Sequence, residues 1–185
     1  MTIIETPRLL LRRLTLDDAE FIFGLVNQPS FLEFIGDKGV RTLDDAREYL
    51  LNGPIASYEA HGFGLYLTSL KQDGTPIGMC GLVKRDALQD VDVGFAFLPE
   101  HWSKGYALES AAAVLEQGKN AFGLKRIVGI ARPDNRGSIR VLEKLGMTFE
   151  GRVQILPEGP EDVLYGIDFS KRAASSRPES RRAAP

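Results

Sequence analysis

The chain has 185 residues, with 23 Lys and Arg against 25 Asp and Glu for a formal net charge of −2, 43% hydrophobic residues and one cysteine. A chain of this size suits one domain that buries about 70% of its unfolded surface without staples, and a lone Cys80 excludes an intrachain disulfide. No apolar stretch approaches membrane-spanning length and no basic segment leads into an apolar run, so a cytoplasmic protein with no membrane partner is expected.

Charge is unevenly spread. Residues 171–185 carry Lys171, Arg172, Arg177, Arg181 and Arg182 against Glu179, which leaves residues 1–170 acidic. Small, polar and Pro-bearing residues cannot offset ordering entropy, so 171–185 is expected to be a disordered basic tail beside a domain over 1–170. So short a tail predicts no nucleic-acid partner.

In chain order, residues 9–14 read as a strand. Residues 16–26 open with Asp17 and Asp18 and continue with Phe21, Ile22, Leu25 and Val26 at helical spacing. A second helix follows from Thr42, a candidate cap before an acidic first turn, with Leu43, Ala46, Tyr49 and Leu50 on one face. Strands are expected over 63–70, 77–83 and 91–98, the first two separated by an Asp-Gly turn, together forming an antiparallel meander. Cys80 sits in the middle strand as a small buried residue.

Residues 97–113 read F-L-P-E-H-W-S-K-G-Y-A-L-E-S-A-A-A, a strand end running through a short glycine-bearing loop into a helix. The first amides of a helix lack intrahelical partners and sit at the positive end of its dipole, so this is an anion site. The amides of Ser103, Lys104, Gly105, Tyr106, Ala107 and Leu108 are the candidates to grip a pyrophosphate. Familiar phosphate loops are absent: there is no G-x-x-x-x-G-K-[ST], and the one G-x-G, at Gly62 and Gly64, lacks a third glycine. The helix places Leu108, Ala111, Ala112 and Leu115 on one face and Ala107, Ala111, Val114 and Ala121 on a smaller one that permits close approach to a sheet. A strand over 126–131, a helix over 135–145 closed at Gly146, and strands over 148–155 and 163–169 complete an α/β (α+β mixed) fold. Its sheet is expected to be mostly antiparallel and flanked by helices.

The W-S-K-G-Y-A-L-E-S run and the N-R-G-S-I-R-V-L-E-K-L-G-M run at 135–147 together resemble the GNAT superfamily of N-acetyltransferases. Within it they resemble the branch related to the ribosomal-protein N-terminal acetyltransferases RimJ and RimL. T-P-R-L-L-L-R-R-L at 6–14, D-V-G-F at 92–95 and D-V-L-Y-G-I at 162–167 extend the resemblance over residues 6–170. Departures are Ser103 where the family has Gly, Leu108 where it has Thr and Met147 where it has Phe. A Cβ tolerates positive φ poorly, so Ser103 implies a slightly rearranged loop.

The resemblance implies transfer of an acetyl group from acetyl-CoA to a primary amine, directly in a ternary complex and without metal. The amine would be a protein N-terminus or a small molecule, and the enzyme a monomer or homodimer. It places the thioester against backbone amides of the strand at Phe95, Ala96 and Phe97, with Gly94 a bulge or merely packed. It puts Asn135 at the pantetheine and Ser138 at the departing thiolate, though both also suit helix capping. Asp92 and then Glu109 are candidate bases. Asp92 could instead end a solvent-facing strand, and Glu109 could simply favour its helix's positive end. An acceptor cleft is expected at Phe31, Phe34, Ile35 and Gly36, read as a mobile apolar segment, and at the turn over 156–162. His61 and His101 are read as loop residues without a catalytic part. No zinc spacing and no G-x-S-x-G occurs. Two alternatives stand beside this reading: a non-catalytic acyl-CoA-binding or regulatory module, and transfer of another acyl group such as succinyl.

Overall fold

A computed structural model describes residues 2–172. Its strands are β1 (Thr2–Glu5), β2 (Leu9–Arg13), β3 (Leu65–Leu70), β4 (Pro76–Val83), β5 (Asp92–Phe97), β6 (Arg126–Ala131), β7 (Thr148–Gln154) and β8 (Glu161–Asp168). They form one sheet in the order β1-β2-β3-β4-β5-β6-β8-β7. Every neighbouring pair is antiparallel except β5 and β6. The mixed α/β class and the β3-β4-β5 meander are as the sequence predicts. The expected tail lies outside the described residues apart from Lys171 and Arg172, whose backbone ends α7 (Phe169–Arg172).

Alternation along the strands sends apolar side chains to both faces, so each face needs a helical cover. On one face Leu9, Leu11, Tyr66, Ile77, Cys80, Leu82, Val93 and Phe97 pack against Ala111, Val114 and Leu115 of α5 (Tyr106–Ala121), and against Leu142 of α6 (Arg136–Lys144). Burial pushes the Cys80 thiol up to about 12, which leaves it an inert core residue. On the other face Leu67 and Met79 meet Ile22, Leu25 and Val26 of α1 (Ala19–Val26), and Ala46 and Leu50 of α3 (Leu43–Leu50).

Local chemistry fixes these helices. Asp18, at the end of a 3-10 turn ahead of α1, accepts two bonds from the Arg12 guanidinium at 2.7 and 2.8 Å and one from the Thr15 amide at 2.8 Å. Thr42 caps α3 by accepting from the Asp45 amide at 3.1 Å, while Asp45 accepts from the Thr42 amide at 2.8 Å.

Four expectations need correction. The segment around Phe31 is a helix, α2 (Pro29–Phe34), opened by a proline at its first position where the missing N–H costs nothing. The helical run continues past α3 as a π-helical turn (Leu51–Ile55) and then α4 (Ala56–His61). The wider turn accommodates Pro54, and His61 consequently ends a helix rather than lying in a loop. Ala112 is exposed and Leu108 only half-buried, while Ala111, Val114 and Leu115 are buried as expected, together with Ser110 and Gly118. β1 was not foreseen, its four residues being too few to show alternation.

Gly81 on β4 has no room for a side chain: a Cβ there would lie 2.0 Å from the carbonyl oxygen of Gly64, the residue just ahead of β3. Because backbone rather than a flexible side chain stands in the way, Gly81→Ala is expected to lower stability by about 2–3 kcal/mol. The effect should appear as a reduced urea midpoint with an unchanged slope.

Candidate functional site

At the end of β5 the chain makes a 3-10 turn (Pro99–His101) and then two left-handed residues, Ser103 at φ 60° and Gly105 at φ 83°, before α5 begins. Ser103 is the only non-glycine with positive φ among the described residues. The loop therefore takes a left-handed bend at Ser103 despite its Cβ. The consequence is a run of free donors. Trp102 N–H bonds to the Pro99 carbonyl and Glu109 N–H to the Gly105 carbonyl, while the amides of residues 103–108 between them have no acceptor among the described residues. They converge at the positive end of a 16-residue helix.

Arg8 braces this loop, and sequence reasoning missed it although it lies within the T-P-R-L-L-L-R-R-L run. Its guanidinium donates to the Lys104 carbonyl at 2.9 Å and to Glu109 at 2.6 Å, and stacks 4.7 Å from the Tyr106 ring centre. Glu109 also accepts from Thr6 Oγ1 at 2.6 Å and from the Arg8 amide at 2.9 Å. Desolvation opposes ionisation of Glu109, but these donors outweigh it and hold the carboxyl below its ordinary value. Glu109 thus sits in a set of structural bonds that join α5 to the start of β2.

Beside the loop the sheet opens. β5 and β6 share a single bridge, Asp92 against Val128, although both strands run on. In the antiparallel ladder to β4, the bond from Leu98 N–H to the Ile77 carbonyl sets the parity. Peptide groups of Asp92, Gly94 and Ala96 face β4, and those of Val93, Phe95 and Phe97 face β6. Past the bridge, Phe95 N–H and C=O and Phe97 N–H meet no strand, while the Phe97 carbonyl accepts from Trp102 Nε1 at 2.8 Å. Of the three residues expected to offer amides, Ala96 has its N–H committed to β4.

On the far side of the opening, α6 begins with Asn135, whose Oδ1 accepts from the Ser138 amide at 3.0 Å. Asn135 is therefore the cap. Ser138 stands one turn in, partly exposed, and its hydroxyl has no partner among the described residues.

Asp92 is not at a solvent-facing strand end. It is 1% exposed, its Oδ2 accepts from Arg85 Nε at 3.1 Å, and its Oδ1 is buried without a partner. Burial raises its pKa, and Arg85 only partly opposes the rise. The expected acceptor segment divides: Phe31 is 3% exposed in the α1–α3 core, Phe34 is half-buried, and Ile35 is 43% exposed ahead of Gly36 at φ 101°. The turn 156–159 lines an open pocket of its own, with Leu156 exposed. Among the described residues no group of His, Cys, Asp and Glu could hold a metal, and no helix is long and apolar enough to cross a membrane.

The model of the Acetyltransferase (GNAT) domain family matches residues 8–148. The chain is 30% identical over 168 residues to the uncharacterized N-acetyltransferase YnaD of Bacillus subtilis, covering 89% of this chain and 95% of that protein. Its fold matches that of a GNAT-family acetyltransferase from Bacillus anthracis with TM-score 0.75 at 27% identity, over 90% of this chain and 98% of that one. At 16% identity and TM-score 0.72 it shares its fold with RimL, a ribosomal L7/L12 alpha-N-protein acetyltransferase solved with coenzyme A, over 91% of this chain and 98% of that one.

The Glu109 clamp gives a pH-dependent prediction. A carboxyl whose pKa falls on folding adds stability above its unfolded value, and that contribution is lost as pH drops through the folded one. Glu109→Gln is expected to cost about 1–2 kcal/mol at pH 7, discounted because Arg8 is half exposed. The gap from the parent should narrow as pH falls below the ordinary Glu range and through the lowered folded value, as followed by denaturant titration.

Proposed function

The chain belongs to the GNAT acetyltransferase family, and on that premise we propose that it transfers an acetyl group from acetyl-CoA to a primary amine, directly and within a ternary complex. The observation that carries the reading is the run of unpartnered amides over residues 103–108 at the head of α5, beside a strand edge whose Phe95 and Phe97 amides are also free. An anion of pyrophosphate shape satisfies the first set. An extended amide-bearing arm lying along β5 would satisfy the second, as an added strand does.

Each chemical demand then finds a residue. The free β5 amides polarise the thioester carbonyl as charge builds on its oxygen. Asp92 takes the proton of the incoming ammonium: an alkylamine titrates near ~10 and cannot attack until that proton leaves, and a carboxyl raised by burial is better matched to the task than an ordinary one. Glu109, held low by Thr6 and Arg8, is the weaker candidate. The amine adds to the carbonyl carbon and the carbon–sulfur bond breaks. Ser138 O–H donates its proton to the departing thiolate and is restored by the second proton that the nitrogen gives up as the amide forms, a role open to it because Asn135 already supplies the cap. An acyl-enzyme is not invoked, since Cys80 is fully buried. Cytoplasmic location, and a monomeric or homodimeric state, complete the proposal.

Acetyl-CoA is expected to raise the melting temperature while NAD and ATP do not. No shift at millimolar acetyl-CoA would remove the co-substrate. Release of free thiol is then followed across a panel of amines and N-terminal peptides, and succinyl-CoA in place of acetyl-CoA tests the acyl group. Protein that binds acetyl-CoA but releases no thiol with any amine is an acyl-CoA-binding module instead.

Ser138→Ala separates chemistry from packing. Turnover should fall by roughly one to three decades, the range of a lost general acid. Stability should stay within about 0.5 kcal/mol, since no bond of the hydroxyl is lost. Asn135→Ala, by contrast, should cost about 1 kcal/mol as a lost cap. An unchanged single-turnover rate in Ser138→Ala would remove Ser138 from the mechanism.

A further inference from the structure

Trp102 stands between the two sets of free donors and belongs to neither. Its indole Nε1–H donates to the Phe97 carbonyl at 2.8 Å, and its backbone N–H donates to the Pro99 carbonyl at 3.1 Å. Both donors of the residue are therefore spent. Its side chain is nonetheless 47% exposed, although a large aromatic ring ordinarily gains by burial.

The β4–β5 ladder fixes where the ring lies. Leu98 N–H bonds to the Ile77 carbonyl, so the Phe97 peptide groups face away from β4 and into the opening toward β6. A side chain that donates to the Phe97 carbonyl stands in that opening, at the end of β5 away from the single Asp92–Val128 bridge. The next residue in the chain is Ser103, the first of the run whose amides have no acceptor among the described residues. A molecule that reaches from the Phe95 and Phe97 amides to the amides of 103–108 passes the indole on the way.

That passage has a chemistry of its own. Free amides on either side need oxygen acceptors, whereas the indole offers a wide apolar face whose one polar atom is already satisfied. It suits an uncharged stretch of carbon. The arm of CoA has such a stretch in the corresponding place, where a quaternary carbon bearing two methyl groups separates the pyrophosphate from the first amide.

We infer that Trp102 is a binding residue for the co-substrate arm, its indole packing against the dimethyl-bearing carbons between the pyrophosphate and the first amide. The inference rests on the acetyl-CoA reading of the site and adds a contact to it. Because Nε1–H occupies the Phe97 carbonyl, the arm is left one carbonyl on this edge, that of Phe95, and two amides, those of Phe95 and Phe97. Trp102 thus ends the polar edge and begins an apolar one.

Trp102 is the only tryptophan in the chain, so its fluorescence reports the contact without a label. Acrylamide quenching of the full chain is measured alone, with CoA, with phosphopantetheine, which keeps the arm and lacks adenosine, and with ADP, which lacks the arm. CoA and phosphopantetheine at saturation are each expected to lower the quenching constant about twofold or more, and ADP to leave it unchanged. By calorimetry, Trp102→Ala is expected to weaken CoA binding about tenfold or more, and Trp102→Phe, which keeps an aromatic face but gives up the bond to Phe97, less than about threefold. CoA binding that leaves quenching unchanged overturns the contact while the transferase reading stands. So does protection by ADP but not by phosphopantetheine, an unchanged affinity in Trp102→Ala, or a loss in Trp102→Phe as large as in Trp102→Ala. Quenching is read on the parent protein, so a variant that misfolds does not remove the test. A parent protein that shows no melting shift and no heat with CoA overturns both readings together.

Discussion

Two parallel strands that meet at one bridge set the terms for everything else in this molecule. A strand edge left unpaired exposes a row of polar groups, and such edges are ordinarily covered or closed. Here β5 and β6 part beyond Asp92 and Val128 in the middle of an eight-stranded sheet, where no edge is needed for assembly. The antiparallel ladders of β4 with β5 and of β6 with β8 stay continuous, so each half of the sheet remains rigid while the gap between them stays open. The same divergence aims the end of β5 into the loop that opens α5, so the free strand edge and the free helix amides adjoin by construction.

Holding a loop of unpartnered donors in one shape needs external support, because amides without acceptors do nothing to order themselves. Arg8 supplies it from just ahead of β2. One side chain bonds a loop carbonyl, a helix carboxylate and an aromatic ring. Tying the loop by its carbonyl leaves the N–H groups free, whereas a cap on those amides would have filled the site. Ser103 carries the remaining strain. A left-handed residue with a Cβ costs about 1–2 kcal/mol relative to its ordinary conformation, and the Arg8 clamp is the neighbouring structure that enforces it.

How much was legible in the sequence follows the range of the interactions involved. Local signals held: Thr42 with Asp45 marks the start of α3, Asn135 the start of α6, and the 103–108 segment its run of free donors, because each depends on residues within one helical turn. His61 read as a loop residue because the helical run that it ends passes through a π turn holding Pro54, which carries no helical signal of its own. Phe31 read as mobile apolar sequence because its burial comes from α1, α3 and the sheet rather than from its own neighbours. Arg8 and Arg85 escaped notice for the same reason. Nothing near Arg8 in the chain announces Glu109, which lies on a helix 101 residues away, and family likeness places motifs without saying what braces them.

The two carboxylates of the site show why placement matters more than residue type. Glu109 gains donors on folding, so its ionised form is stabilised and supports the fold at neutral pH. Asp92 loses water and gains only one donor, so its ionised form is disfavoured: as pH rises through the ordinary Asp range the unfolded chain releases that proton before the folded one does, and the folded state loses stability. Arg85 limits the penalty without removing it, because its charge and one hydrogen bond at 3.1 Å only partly offset the burial. The Oδ1 left buried without a partner is the structural counterpart of that raised proton affinity.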